Sequence, residues 1–155
     1  GASCRSKIWP AQYFAELIDL IRKKYDVNII LVGGKDSIEH SNKVKAHVKS
    51  GVVDVTGDTG IQTLAGILRK AKVFISNDSG PVHIAVCVGA PVIAIFGRKD
   101  PGLSPKRWGP RGARDIVFHA DAGCVKCLAH NCALGFKCLT ATKPEKVFEA
   151  VKSFL

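Results

Sequence analysis

Apolar residues recur along this chain with two different periods. Phe14, Leu17, Ile18 and Ile21 fall at i, i+3, i+4 and i+7, which predicts a helix entered at Pro10 with one buried face. Residues 27–32 form a β-branched run closed by Gly33 and Gly34, the pattern of a buried strand. Asp36 or Ser37 is placed to cap a more polar helix reaching about Lys49, and residues 52–55 follow as a short strand. Asp58, Thr59 and Gly60 then open a helix with Ile61, Leu64, Ala65 and Leu68 on one side. Strand 73–76, helix 80–88, strand 91–96 and strand 116–118 come next. Thr142 and Glu145 frame a capping box with Pro144 in the first turn, ahead of Val147, Phe148, Val151 and Phe154.

Five strands separated by helices require βαβ crossovers. The fold class is therefore α/β, a Rossmann-like parallel sheet flanked by helices. Ligands of such sheets sit beyond the carboxyl ends of the strands. The loops to inspect are 33–36, 77–80 and 97–112. Residues 97–140 are an irregular stretch rich in Gly, Pro, Arg and Cys, and a long excursion within a compact domain is usually functional.

Composition adds one strong feature. The 155 residues carry 23 Lys and Arg against 13 Asp and Glu, a net charge of +10. With 46% hydrophobic residues, disordered and fibrous classes are excluded, and the length suits a single domain, 1–155. The charge predicts attraction to phosphates, nucleic acid or an anionic membrane face. The longest apolar stretch, 84–96, is broken by Gly89 and Pro91, so no span is expected. The first ten residues lack the apolar run of a signal peptide, so a cytoplasmic location is expected, with peripheral contact at the inner membrane as a further expectation. Arg98, Lys99, Lys106, Arg107, Arg111 and Arg114 surround Trp108. This basic stretch fits a membrane or acidic-acceptor contact, a nucleic-acid patch, or a solvated loop.

Two short constellations carry candidate chemistry. In Asn77-Asp78-Ser79-Gly80-Pro81-Val82-His83 an apolar strand runs straight into a helix. Gly80 lets a ligand approach the backbone, and the unsatisfied N–H groups of the helix end favour phosphate. The alternative is an ordinary turn in which Asp78 or Ser79 caps the helix and His83 packs. Ser3, Arg5, Ser6 and Lys7 precede Trp9-Pro10 at another helix start. Hydroxyls and a lysine there could hold a diphosphate, or they could be a solvated loop with Ser6 as cap.

These two blocks, together with Gly89-Ala-Pro-Val-Ile-Ala-Ile-Phe-Gly97 and Asp100-Pro101, resemble the C-terminal half of the lipopolysaccharide heptosyltransferases, glycosyltransferase family 9. The resemblance covers nearly the whole chain. It implies one half of a GT-B fold, binding a nucleotide-sugar donor such as an ADP-sugar and serving an inverting transfer onto a phosphorylated, lipid-linked acceptor. Carried over, Ser3 and Lys7 would hold the diphosphate, with Lys7 stabilising the leaving group. Ser79 and Gly80 would bind it through hydroxyl and N–H, Asp78 would take sugar hydroxyls, and His83 would lie near the phosphates. Lys35 and Asp36, in the 33–36 loop, would flank the nucleoside. Lys7 and Asp78 are expected on opposite sides of the sugar diphosphate. The family's N-terminal acceptor half, with its proposed carboxylate base, is absent from this chain, so no catalytic base is assigned within it. Transfer is expected to need no cofactor, since no D-x-D pair occurs to hold a divalent ion.

The cysteine-rich loop, about 119–140, holds Cys124, Cys127, Cys132 and Cys138. Their spacing is close to that of a zinc knuckle, and structural zinc, reduced thiols and disulfides all remain open. Cys4 and Cys87 read as buried small hydrophobes. The competing function is a nucleic-acid-binding module with this cluster on a Rossmann-like scaffold. It explains charge and cysteines but leaves the two helix-start blocks without a role, and the donor-binding reading is preferred.

Overall fold

The structure, a computed structural model, describes residues 2, 4–127 and 129–155. The elements are α1 (Ala11–Lys24), β1 (Ile30–Leu31), α2 (Ile38–His47), β2 (Val53–Asp54), α3 (Ile61–Lys70), β3 (Phe74–Asn77), α4 (Gly80–Cys87), β4 (Val92–Phe96), α5 (Pro105–Trp108), β5 (Ile116–His119), α6 (Lys137–Thr140) and α7 (Pro144–Val151). All strand pairs are parallel, as the alternation of elements predicts.

β4 is the spine. All five of its residues are buried, and it pairs with β3 on one side and β5 on the other. Its alternation divides the core. Ile93 and Ile95 join Trp9, Leu17, Ile21, Leu139, Val147 and Val151 beneath α1 and α7. Val92, Ala94 and Phe96 face Leu64, Leu68, Val82 and Ala85 of α3 and α4. A strand covered on both faces must be apolar throughout, which is why it shows no alternation in sequence.

The expected single sheet is instead two. β1 and β2 form a separate parallel pair, with further hydrogen bonds from Val53 N–H to Ile29 and from Gly57 N–H to Gly33. A cavity of about 650 Å³ lies between this pair and β3, lined by Phe14, Ile18, His40, Val44, Leu68 and Phe74 among others. The strand begins late because the Val27 N–H turns back onto the Tyr25 carbonyl. Val27 and Ile29 then pack against the α1–α7 core.

Two expected caps are also replaced. α7 starts at Pro144 after Lys143, and Thr142 is buried with its carbonyl taken by the Trp9 indole. Phe154 lies beyond the end of that helix. Asp36 and Ser37 bond to each other on a 3-10 turn, Lys35–Ser37, instead of capping α2. α3 opens from Gly60, where the sequence places its start.

Candidate functional site

β3 and β4 end side by side, and the chain leaving each of them builds one cluster. The segment before α1 is brought there by Trp9, which is fully buried. Its backbone N–H donates to Asn77 Oδ1 at 2.9 Å, and its indole N–H to the Thr142 carbonyl at 2.9 Å. Burying an indole is favourable only when its N–H finds an acceptor, and here the acceptor fixes where the segment sits. Arg5–Lys7 therefore forms a 3-10 turn rather than a helix start, with Ser6 buried against Cys4. Gly97, at the end of β4, admits this turn. A Cβ there would stand 2.7 Å from the Ser6 carbonyl oxygen and 2.8 Å from Leu139.

Lys7 and Asp78 meet in this arrangement, with Nζ 3.1 Å from Oδ2. They are in contact, contrary to the expectation that they face each other across a ligand. Arg98 Nη2 approaches the same oxygen at 3.6 Å. Burial pushes the Asp78 carboxyl up, to about 6, against the pull of His83. The two cations at Oδ2 act in the same sense as His83. At pH 7 the carboxylate is ionised, inside a cluster with one surplus positive charge.

Asp78 thus does not cap α4, and neither does Ser79. The Ser79 hydroxyl shares a hydrogen bond of 3.0 Å with Ser76, while Gly80 is exposed and has open space where a side chain would be. In the first turn of α4 Pro81 carries no N–H and the Val82 N–H is taken by the Ser79 carbonyl, which leaves the Gly80 N–H for an outside acceptor. His83 is exposed, with its ring edge-on to Trp108 at 6.3 Å. Trp108 is itself tied to the Gly102 carbonyl, so loop 97–112 folds over the mouth of α4.

The structure does not unite every expected site residue. Ser3 lies outside the described residues. Lys35 and Asp36 are exposed after β1, and among the described residues no hydrogen bond or ion pair joins them to Lys7, Asp78 or Arg98. Arg98 was grouped in the sequence with solvent-facing basic residues, yet it is 8% exposed and belongs to the cluster. Only its position directly after an apolar strand and a glycine could have marked it. Asn77 and Trp9, which position the cluster, carry no signal of their own beyond adjacency to it.

A second cavity, about 320 Å³, lies behind Arg98 and Ser6. Cys124, Cys127, Cys132 and Cys138 all line it, as does Phe136. Gly135 and Phe136 both take left-handed backbone conformations there, which turns the chain into α6. Burial, and the neighbouring Cys132 and Cys127, push the Cys138 thiol up. As placed, no group of three His, Cys, Asp or Glu among the described residues is set to hold a metal ion. Of the other cysteines, Cys87 is exposed and Cys4 half-buried, so neither is the buried hydrophobe expected. Cys87 lands on the open face of α4. No helix among the described residues is long and apolar enough to cross a membrane.

The model of glycosyltransferase family 9 (heptosyltransferase) matches residues 1–137. Lipooligosaccharide heptosyltransferase 2 of Campylobacter jejuni serotype O:2 is 34% identical over 161 residues, covering 100% of this chain and 49% of the relative. The solved ADP-heptose heptosyltransferase II of Escherichia coli superposes with a TM-score of 0.79 at 23% identity, over 99% of this chain and 44% of that one. E. coli heptosyltransferase WaaC, solved with ADP, gives a TM-score of 0.74 at 22% identity, over 100% and 42%. The chain spans about half the length of the curated relatives it matches, and it corresponds to their C-terminal half. The parallel sheets flanked by helices are thus one half of a GT-B architecture. On this evidence the chain belongs to glycosyltransferase family 9, the heptosyltransferases.

Proposed function

We propose that this chain is the donor-binding half of an inverting glycosyltransferase that builds lipopolysaccharide core from an ADP-heptose-like nucleotide sugar. The observation that carries the reading is the cationic cluster of Lys7 and Arg98 around Asp78, beside the open first turn of α4. A diphosphate placed there meets Lys7, the Ser79 hydroxyl and the Gly80 N–H, with Ser3 completing the set. Asp78, an acceptor only, takes the sugar hydroxyls, and His83 stands at the phosphate rim. Lys35 and Asp36 flank the nucleoside. Lys7 and the helix end supply the positive charge that the leaving diphosphate needs, so transfer proceeds without a divalent ion.

The base and the acceptor groove belong to an N-terminal half, which also meets the phosphorylated lipid-linked acceptor. Exposed Trp108 and the basic residues around it suit peripheral contact with an anionic inner-membrane face in the cytoplasm. Structural zinc at the four clustered cysteines would require the loop to close further than it does here, and no step of transfer runs through it. No specific observation favours the nucleic-acid-binding alternative.

Titration calorimetry with ADP, other nucleoside diphosphates and adenosine tests the reading. ADP is expected to bind in the micromolar to millimolar range, roughly −4 to −8 kcal/mol, because half of the closed cleft is contributed elsewhere. No preference for ADP over adenosine would overturn it.

A further inference from the structure

Asp78 holds two cations where one would balance it. Lys7 Nζ and Arg98 Nη2 converge on the same oxygen, Oδ2, at 3.1 and 3.6 Å. They arrive from different sides. Lys7 comes from the 3-10 turn before α1, whereas Arg98 comes from the end of β4, where it also lines the cavity behind the cysteines. Their access to solvent differs too, with side-chain exposure of 19% for Lys7 and 9% for Arg98. Arg98 Nε is buried with no hydrogen-bond partner among the described residues, while Nη2 is directed at the Asp78 carboxylate.

We propose that Arg98 is a positioning residue: it stays on Asp78 as the permanent counter-charge and thereby frees Lys7 to move onto a diphosphate. This rests on the donor-site reading above. If Lys7 were the sole partner of Asp78, every phosphate would have to compete with a buried carboxylate. Lys7 could then leave only by stranding that charge, which is among the most costly changes a protein interior can undergo. With Arg98 retained, the carboxylate stays balanced after Lys7 departs. The division of labour follows from chemistry as well as place. The guanidinium is always charged and is the more deeply buried, while the lysine is a mobile point charge on a flexible stem at the open side. Arg98 therefore acts on the ligand through Lys7, without touching it.

The test is ADP binding, measured calorimetrically on the wild type and on Arg98→Met, Arg98→Lys and the double variant Arg98→Met with Asp78→Asn. Arg98→Met is expected to bind ADP about tenfold more weakly, the scale of one charge-assisted contact, because Lys7 is now captive. Arg98→Lys restores most of the loss. The double variant also restores it, although Arg98 is still missing, because Lys7 has no carboxylate to remain with. A residue that merely supported the fold would not be rescued by removing a second buried group. Wild-type affinity in Arg98→Met, or a double variant as weak as the single one, overturns the role of Arg98 alone. Failure of the wild type to prefer ADP over adenosine overturns the donor-site reading and this inference together. Thermal melts accompany each titration, and Arg98→Gln takes the place of Arg98→Met if that variant does not fold.

Discussion

Asp54 and Asp78 stand at the carboxyl ends of β2 and β3, and their surroundings treat charge in opposite ways. Burial raises the Asp54 carboxyl, but hydrogen bonds from Lys45, Thr56 and Ser41 outweigh it and hold the group well below the usual carboxylate range. Burial raises Asp78 as well, and there it prevails, to about 6. Asp54 sits among neutral donors and a cation on the two-stranded side, where its ionised form helps the fold. Asp78 lies on the three-stranded side, where desolvation makes its ionised form costly despite the two cations beside it. A carboxylate kept in an unfavourable state by geometry marks a site, and one satisfied on all sides marks structure. The same contrast runs through the packing. β4 is sealed on both faces, whereas β1 borders a cavity.

The largest effect should come from testing that packing directly. Ile93→Ala, in β4, is expected to cost about 4–5 kcal/mol in urea unfolding, and Ile18→Ala about 2, because Ile18 already borders the cavity. Equal losses would erase the difference between the two sides. Next come the opposite pH slopes of the carboxylates. The folded chain holds the Asp78 proton more tightly than the unfolded chain between pH 4 and 6. The Asp78 contribution is therefore greatest below pH 4 and is lost as pH rises through 6. Asp78→Asn removes this fall. Asp54→Asn removes a contribution of the other sign, present above pH 4 and lost on acidification. Parallel unfolding curves across pH for the two variants would break the comparison.

Gly97→Ala should cost about 1–3 kcal/mol, since its new methyl meets the Ser6 carbonyl and Leu139. Displacing that turn also moves Lys7, so ADP affinity should fall with it. Unaltered ADP binding in a destabilised Gly97→Ala would separate the turn from the site. The smallest stability change is expected for Trp108→Ala, about 1 kcal/mol, the scale of its lost hydrogen bond to the Gly102 carbonyl. Co-sedimentation with anionic vesicles should nonetheless decrease, and unchanged sedimentation would remove Trp108 from the proposed membrane contact.

The sequence carried the α/β class and the order of elements because periodicity is local. β4 was readable as a continuous apolar run, and α1 as a single face. The caps failed for an equally local reason: Thr142 and Ser37 have capping chemistry, but other partners claim their surroundings. Asp78, Ser79 and Gly80 were found as a motif, yet what Asp78 touches was not, because Lys7 and Arg98 reach it from 71 and 20 positions away. Arg98 was misjudged for the same reason. Burial of a charge depends on what folds over it, and no window of neighbouring residues contains that information.

The indole of Trp9 has a temporal consequence. Its hydrogen bond spans 133 positions, to the carbonyl of Thr142. Closing so long a loop carries an entropic cost that local structure does not offset, so contacts of this range form late. During synthesis the segment bearing Lys7 precedes both of its anchors, and the second of them, the Thr142 carbonyl, becomes available only after residue 142 has followed it out. The cationic cluster at Asp78 is consequently locked from its second side only after nearly the whole of this domain has been made, and a chain stalled before Thr142 would hold Lys7 through the Asn77 contact without the indole bond.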